Sequence, residues 1–294
     1  MITESYLNLW LETFVRPFRA PSTAACYRRA INALPPDLLA ADLAELDGLR
    51  LQAAINQQAV KHPRAAQLTF AALHVALAKA VQLEYILRNP MAACIKPVHQ
   101  AKKASVLSAA QLASYIAAAR AEAVFPLLLL IGTLGLRRSE ALGLTWSAVD
   151  LAGGCVLISQ QRLRIDHRMQ VRPLKSRASC RVLPIPAPLA AELGRIRAEQ
   201  RVVSMAGFVV DTNPDTLRKA HMRTLQRAGL PPVTLHGLRH SVATLAAASG
   251  CPMKILQGIL GHSKYELTAN LYADHLTYDV LAPQLSMVAS AVLG

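Results

Sequence analysis

The sequence predicts a mainly α-helical protein with a small antiparallel β-sheet, an α+β fold in two domains. Apolar residues recur at intervals of three and four over the first 95 residues and again beyond residue 107, as they do in amphipathic helices. Between residues 155 and 186, three short segments rich in β-branched residues are separated by polar turns, which is typical of strands. The 294 residues suffice for two domains that each bury a core.

Residues 1–95 are predicted to form a compact helical bundle. Leu7, Trp10 and Phe14 share one helical face, and three longer amphipathic segments follow. Each is predicted to form one helix: "STAACYRRAINAL", "LAELDGLRLQAAINQQA" and "RAAQLTFAALHVALAKAVQLEYI". The basic residues on their polar faces fit either a solvated surface or contacts with phosphates.

Residues 96–106 are predicted to link this bundle to a second domain. Asn89-Pro90 ends a helix, Pro97 keeps the chain extended, and "HQAKKAS" carries charge without a hydrophobic period. The second domain, residues 107–280, opens with "LSAAQLASYI", in which Ser108 and Gln111 have the spacing of a helix capping box.

The second domain is predicted to contain the sheet, followed by helices that run almost to the end of the chain. The strands are "CVLISQQ", the stretch around "QVRPLK", and "CRVLPIP". Beyond residue 280, apolar residues at helical spacing predict a tail helix over 281–294 that docks either on a neighbouring protomer or on its own domain.

The composition favours a polyanionic partner. Lys and Arg number 32 against 18 Asp and Glu, giving a net charge of +14. The five cysteines are scattered, without a CxxC pair or a metal-ligand pattern, which fits a reducing cytoplasm. The amino terminus lacks the pattern of a signal peptide, and the most apolar run, "AVFPLLLLIG", is too short to cross a bilayer. We therefore expect a cytoplasmic protein.

Two arginine motifs have the chemistry of an anion site. In "HGLRHSVATL", His236 and Arg239 lie three residues apart at a helix start, where both can reach one anion. In "TLGLRRSEAL", Arg137 and Arg138 follow an apolar helix and a glycine turn, and Glu140 is the nearest carboxylate partner. Each motif alone also fits an ordinary structural role.

Two further motifs contain candidate proton donors and a nucleophile. In "KSRASCRVLPIP", Lys175 lies in the turn before a strand, where its ammonium can reach into a cleft. In "LQGILGHSKYELTANLYADH", Gly261 ends a helix, His262 follows it, and Tyr272 comes ten residues later. Alone, Lys175 fits an ordinary turn, His262 a helix cap and Tyr272 an interface aromatic.

In this order the four motifs resemble those of the tyrosine recombinase family, also called the phage integrase family, in its two-domain Xer-like or short integrase form. The resemblance covers residues from about 105 to 280, and the bundle before them resembles the family's helical core-binding domain, which is SAM-like. It implies the following site residues: Arg137, Lys175, His236, Arg239, His262 and Tyr272 as catalytic, with Glu140 as the supporting acid. Tyr272 lies where the family has its nucleophile, unlike Tyr265 and Tyr278. The sequence "LYADH" stands where the family often has a Thr-His pair after the tyrosine.

The resemblance implies site-specific cleavage and rejoining of double-stranded DNA through a 3′-phosphotyrosine on Tyr272. It implies no cofactor, metal or ATP. The expected assembly is a homotetramer on paired sites, formed from a free monomer or dimer, with an accessory directionality protein as a further partner. Sequence choice would come from base contacts and DNA deformability.

Two other functions stay open at this point. A DNA-binding regulator without catalysis fits the helix-turn-helix pattern of "VATLAAASGCPMKILQGILGH", and a type IB topoisomerase uses similar arginines and a tyrosine. Within the family, chromosome-dimer resolution, phage integration and mobile-element recombination all fit.

Overall fold

The computed structural model describes residues 1–98, 105–165, 168–174, 179–200, 206–261 and 278–293. Lys175, His262 and Tyr272 lie outside these described residues. The chain divides into two compact units, Met1–Lys102 and Lys103–Gly294, and the division falls within the predicted linker. Both units are mainly helical, and the strands form small antiparallel sheets, so the predicted fold class is confirmed.

The first unit is a helical bundle around one apolar core. Its helices are Thr3–Trp10 (α1), Pro21–Asn32 (α2), Pro36–Ala40 (α3), Gly48–Lys61 (α4) and Pro63–Gln82 (α5). A π-helical turn, Leu11–Val15, follows α1, and 3-10 turns lie at Leu43–Glu45 and Pro90–Ala93. Leu7, Trp10, Leu51, Leu73 and Leu77 are among the buried core residues.

The predicted helix "LAELDGLRLQAAINQQA" is wrong in its first five residues. The helix begins at Gly48, because the Asp47 carboxylate accepts hydrogen bonds from the backbone N of Leu49 at 2.7 Å and of Arg50 at 2.9 Å. An aspartate in this position caps a helix and fixes its start. The residues before it form the separate 3-10 turn.

The second unit surrounds a helix that is buried along its whole length. Its helices are Ala109–Ala119 (α6), Phe125–Leu134 (α7), Arg138–Gly143 (α8), Ala187–Glu199 (α9), Pro214–Arg227 (α10), Leu235–Ala248 (α11), Met253–Leu260 (α12) and Tyr278–Leu293 (α13). Every residue of α7 is buried. The predicted capping box of α6 is confirmed, with Ser108 and Gln111 each accepting a hydrogen bond from the other's backbone N–H.

The strands form two sheets where the sequence predicts one. They are Val149–Asp150 (β1), Cys155–Ile158 (β2), Gln160–Ile165 (β3), Arg168–Pro173 (β4) and Arg181–Pro184 (β5); a 3-10 turn, Trp146–Ala148, precedes β1. The first sheet has the order β1-β2-β5, and the second is the hairpin β3-β4. The chain between β2 and β5 pairs with itself and ends its ladder at Pro173, which has no N–H to donate. In the first sheet, Arg181 of β5 lies opposite Ile158 of β2.

The last helix packs on the core of its own unit. Helix α13 packs against α6, β5, α9 and α11, and it buries Leu285, Val288, Ala289 and Val292. It begins at Tyr278, three residues before the predicted tail. Docking of this helix on a neighbouring protomer stays a prediction. Across the described ranges, none of the helices has the length and apolar character needed to span a membrane.

Candidate active site

Arg137 is placed by the end of the buried helix α7. Gly135 ends α7 with φ of 65°, a left-handed conformation that favours glycine, and Leu136 is fully buried. The chain then reaches the surface of the core at Arg137, whose side chain is 33% exposed. The backbone N of Arg137 donates to Glu140 Oε2 at 2.9 Å, and its Nη1 donates to Oε1 at 2.6 Å. Arg137 and Glu140, which are three residues apart in the sequence, therefore form a direct ion pair.

His236 and Arg239 lie in the first turns of helix α11, and hydrogen bonds fix the start of this helix. The Thr234 hydroxyl accepts a hydrogen bond from Gly237 N at 2.9 Å, which caps the helix. The Ser241 hydroxyl accepts from Leu107 N at 2.8 Å, so the start of the second unit is tied to α11. A Cβ at Gly237 would meet the Ser105 carbonyl at 2.9 Å, which explains why this position requires glycine.

Arg239 is almost completely buried, whereas His236 is exposed. Only 2% of Arg239 is exposed, and its guanidinium donates to the carbonyls of Gly135 at 2.8 Å and Leu260 at 2.5 Å. Burial, followed by the positive charge of Arg137, lowers the pKa of Arg239 to about 9. The side chain therefore still carries its charge at neutral pH, in a place where little water screens it.

The carboxyl end of α12 is held by three arginines from three different parts of the chain. Gly261 ends α12 with φ of 63°. The carbonyl of Ile259 accepts from Arg181 Nε at 2.7 Å, and the carbonyl of Gly261 accepts from Arg137 Nη2 at 2.6 Å. With the bond from Arg239 to Leu260, three consecutive carbonyls each receive an arginine. Such carbonyls have no partner within the helix and carry its negative dipole end, so cations stabilise them.

The buried carboxylate of Glu140 forms ion pairs with two of these arginines, Arg137 and Arg181. Only 1% of Glu140 is exposed, and its carboxylate also accepts from Arg181 Nη2 at 2.9 Å and Nη1 at 3.3 Å. Burial raises the pKa of Glu140, but the hydrogen bonds and charges of Arg181 and then Arg137 outweigh that effect and hold the pKa below its usual value. Glu140 is thus an anion at neutral pH.

Arg181 is a member of the site that was not predicted from the sequence. It lies in the motif "KSRASCRVLPIP", in which only Lys175 is predicted as a site residue. Residues of a strand alternate between its two faces, so Arg181 lies on the same face as the buried Leu183, while Val182 is 48% exposed. An arginine on the buried face of a strand was the available signal, because it requires an anionic or carbonyl partner.

His236 lies beside the arginines and a second histidine. Its ring and that of His240 are 4.4 Å apart in an edge-to-face arrangement. Although much of the His236 side chain is exposed, the protein around part of its ring reduces its solvation and lowers its pKa, and the positive charges of His240, Arg239 and Arg137 lower it further. The neutral imidazole, which can accept a proton, is therefore favoured at neutral pH.

The described part of the site is a cationic cluster at the meeting point of α7, α8, β5, α11 and α12. It contains three arginines and one glutamate: Arg137, Arg181, Arg239 and Glu140. Lys175, His262 and Tyr272 are outside the described residues, although His262 directly follows Gly261 in the sequence. Within the described ranges, no group of three or more His, Cys, Asp or Glu side chains has an arrangement that could hold a metal ion. Guanidinium groups gathered in this way can bind a phosphate and stabilise negative charge on it.

Solved structures share this fold over nearly the whole chain. The integrase of transposon Tn1549, residues 82–397 in complex with a circular intermediate DNA, superposes with a TM-score of 0.76 at 19% identity, covering 95% of this chain and 97% of that one. Lambda integrase residues 75–356, a dimer bound to a core site, gives a TM-score of 0.68 at 19% identity, with 90% and 96% covered.

Sequence relatives match a little more than half of the chain. A tyrosine recombinase XerC-like protein of Caldanaerobacter subterraneus is 31% identical over 180 residues, 52% of this chain and 45% of the relative. The prophage integrase IntF of Escherichia coli is 31% identical over 189 residues, 60% of this chain and 36% of the relative. The match therefore spans less than half the length of either relative. The model of the phage integrase family matches residues 105–278, which is more than half of the chain, and the chain belongs to that family.

Proposed function

We propose that this protein is a tyrosine-type site-specific recombinase that cleaves and rejoins double-stranded DNA. The observation that carries the proposal is the convergence of Arg137 and Arg239 over a buried Glu140 at the end of α12, directly before His262. Two guanidinium groups from separate elements suit the two non-bridging oxygens of one phosphodiester. The relatives named above, recombinases and integrases, support the same activity.

The proposed reaction begins with attack of the Tyr272 hydroxyl on the phosphorus. The tyrosine oxygen loses its proton and forms a bond to phosphorus, while the bond to the 5′-oxygen breaks. The products are a 3′-phosphotyrosine and a free 5′-hydroxyl, and attack by the hydroxyl of a partner strand reverses these steps to rejoin DNA. Because a phenol with a pKa near 10 is mostly protonated at neutral pH, the nucleophile needs a proton acceptor and a strongly positive site.

The remaining residues divide the proton transfers and the charge stabilisation. Arg137 and Arg239 neutralise the oxygens on which charge develops, the kind of stabilisation that contributes most in such reactions. Neutral His236 exchanges a proton with Tyr272, Lys175 protonates the leaving 5′-oxygen, and His262 donates a further hydrogen bond. Arginine and lysine supply the positive charge, so we expect cleavage in the presence of EDTA and without ATP.

The proposed substrate and assembly follow from the same family. The substrate is a specific duplex site, bound mainly through phosphates by a chain of net charge +14, and the active assembly is a homotetramer on two sites. A lambda integrase tetramer has been solved on a Holliday junction, and a lambda integrase dimer on a core site. We place the protein in the cytoplasm, with an accessory directionality protein as a further partner.

Covalent capture of DNA from a randomised pool tests this proposal and finds the target site in the same experiment. Supercoiled plasmids with a randomised insert are incubated with the protein, and DNA that stays attached after denaturation is recovered and sequenced. We expect one enriched sequence, no adduct with Tyr272→Phe, and joined duplexes when two selected sites are supplied. Tyr265→Phe is the matched control and should retain the adduct.

The other outcomes identify the alternatives. DNA binding without any adduct would indicate a regulator and contradict the proposal. Adducts at unrelated sequences with relaxation of the plasmid would indicate a type IB topoisomerase. Cleavage that requires a divalent metal would contradict the proposed charge stabilisation.

A further inference from the structure

Arg181 is the least exposed cation of the cluster after Arg239, and it has partners on three sides. Its side chain is 8% exposed and donates to both oxygens of Glu140. It also donates to the carbonyl of Ile259 at 2.7 Å and to that of Ser179 at 3.0 Å. One guanidinium thus joins the buried acid, the end of α12 and the chain that enters β5.

We propose that Arg181 is a positioning residue for DNA cleavage, acting through Glu140 and the end of α12 rather than on the phosphate. This inference rests on the proposed recombinase function. Arg181 neutralises Glu140 and anchors α12, so that Arg137 and Arg239 keep their charge and their orientation for the phosphate.

The charge balance of the cluster is the first support. Three arginines and one glutamate leave a surplus of positive charge for an anion. Without Arg181, the Glu140 carboxylate would face only Arg137, in direct contact at 2.6 Å, and Arg239, at 3.9 Å. Its negative charge would then compete with a phosphate for both guanidinium groups. Such competition is strong in a buried site because water screens it poorly.

The mechanical support comes from the strand that carries Arg181. Strand β5 is hydrogen-bonded to β2 over four residue pairs, with Arg181 opposite Ile158, so the guanidinium extends from a rigid base. Its bond to Ile259 fixes one carbonyl of the three at the end of α12, where Arg239 and Arg137 bind the other two. A shift of α12 would therefore move both arginines and the start of the segment that begins with His262.

The test compares variants in single-turnover cleavage of the DNA site selected by covalent capture, at saturating DNA and well below the melting temperature of the least stable variant. We expect Arg181→Met to cleave about 100-fold more slowly than the wild type, the cost typical of misplaced groups. The dissociation constant for the same duplex should stay within about threefold, because the duplex is bound mainly through many other phosphate contacts. Arg181→Lys should recover about tenfold, because it restores the charge but not all four hydrogen bonds.

A second variant separates positioning from a loss of folding. In Arg181→Met combined with Glu140→Gln the uncompensated charge is removed, so this protein should cleave faster than Arg181→Met alone. The matched control is Arg223→Met, which removes one of the two arginines, Arg223 and Arg227, from the buried Glu122 in a separate cluster. It should lower the melting temperature but leave the cleavage rate unchanged.

Three results would overturn the inference. Wild-type rates in Arg181→Met would show that Arg181 has no role in cleavage. A loss that follows the melting temperature in every variant, Arg223→Met included, would reduce Arg181 to a stabilising residue. A double variant no faster than the single one would exclude action through Glu140. By contrast, a wild type that forms no adduct would refute the recombinase function itself.

Discussion

The guanidinium of Arg239 and the carboxylate of Glu140 are both buried and lie 3.9 Å apart, Nη1 to Oε2, too far for a hydrogen bond. Arg239 is engaged by the carbonyls of Gly135 and Leu260, while Glu140 is engaged by Arg137 and Arg181. The positive charge of Arg239 is therefore only partly compensated. A buried, partly compensated arginine is energetically unfavourable, and an anion bound beside it would offset part of that cost.

Replacement of Arg239 should be far more damaging than replacement of His236. Arg239→Ala removes the buried guanidinium that is proposed to stabilise charge on the phosphate and should slow adduct formation by about 1,000-fold. His236→Ala removes one of the proposed proton-transfer groups and should slow adduct formation by about 100-fold. Both rates are measured with the captured DNA site at saturating concentration. Near-normal cleavage by Arg239→Ala would contradict the assigned site.

The acid limb of the cleavage rate should report the pKa of His236. In the proposed reaction the neutral form of His236 is the proton acceptor. Because its pKa is lowered, activity should persist below the usual histidine value of about 6.5 and fall as pH drops through the lowered pKa. His240→Asn removes one of the charges that lower this pKa, so its acid limb should move to higher pH. The measurement is the single-turnover rate from pH 5 to 8.

The variant His236→Asn is the control for this assignment. It should cleave slowly and lack the limb altogether, and an unchanged limb would assign the titration to another group. The free energy of unfolding should depend on pH in the same direction. The folded state binds the His236 proton less tightly than the unfolded chain does. The stability contributed by His236 is therefore fully present above about pH 6.5 and is lost as pH falls through the lowered pKa.

The sequence predicts those parts of the fold and the site that depend on local chemistry. The capping box at Ser108, the glycine stop at Gly261 and the pairing of Arg137 with Glu140 three residues later are short-range features, and the structure contains each of them. The predicted helix start at Leu43 is wrong for an equally local reason, since Asp47 has the strong preference of an aspartate for the position that caps a helix.

Contacts between distant segments could not be read from the sequence in this way. Arg181 and Glu140 are 41 residues apart, and their contact depends on the pairing register of β5 with β2. The different burial of His236 and Arg239, three residues apart on α11, likewise depends on where α12 packs. Sequence spacing places such residues on related faces but does not determine which becomes buried.

The packing of α13 on its own unit predicts a large loss of stability from one substitution. Val288 is 1% exposed, so Val288→Asp buries an unpaired charge and should lower the free energy of unfolding by more than about 3 kcal/mol. Ser286→Asp, on the exposed side of the same helix, should change it by less than about 0.5 kcal/mol. Urea unfolding in a Trp10→Phe background measures this, because Trp146 in the second unit is then the single tryptophan.

Docking of α13 on a neighbour has a separate readout. Deletion of residues 280–294 should stop the joining of two sites while binding to one site persists, provided that the truncated protein stays folded at the assay temperature. Unchanged joining would reject docking between protomers. Equal unfolding free energies for Val288→Asp and Ser286→Asp would contradict the packing of α13 on its own core.

Gly261 and Gly250 together test whether the end of α12 controls cleavage. Both have a left-handed backbone, with φ of 63° and 83°, so alanine at either position should cost about 1–2 kcal/mol of stability. A Cβ at Gly261 would also meet Arg181 Nη1 at 2.9 Å, whereas nothing lies within 4 Å of a Cβ at Gly250. Gly261→Ala should therefore displace Arg181 and the carbonyl that holds Arg137, and slow adduct formation about 10- to 100-fold. Gly250→Ala should lose similar stability from the backbone and keep its cleavage rate. Equal rates in the two variants would show that the arginine contacts at this helix end are unimportant for the chemistry.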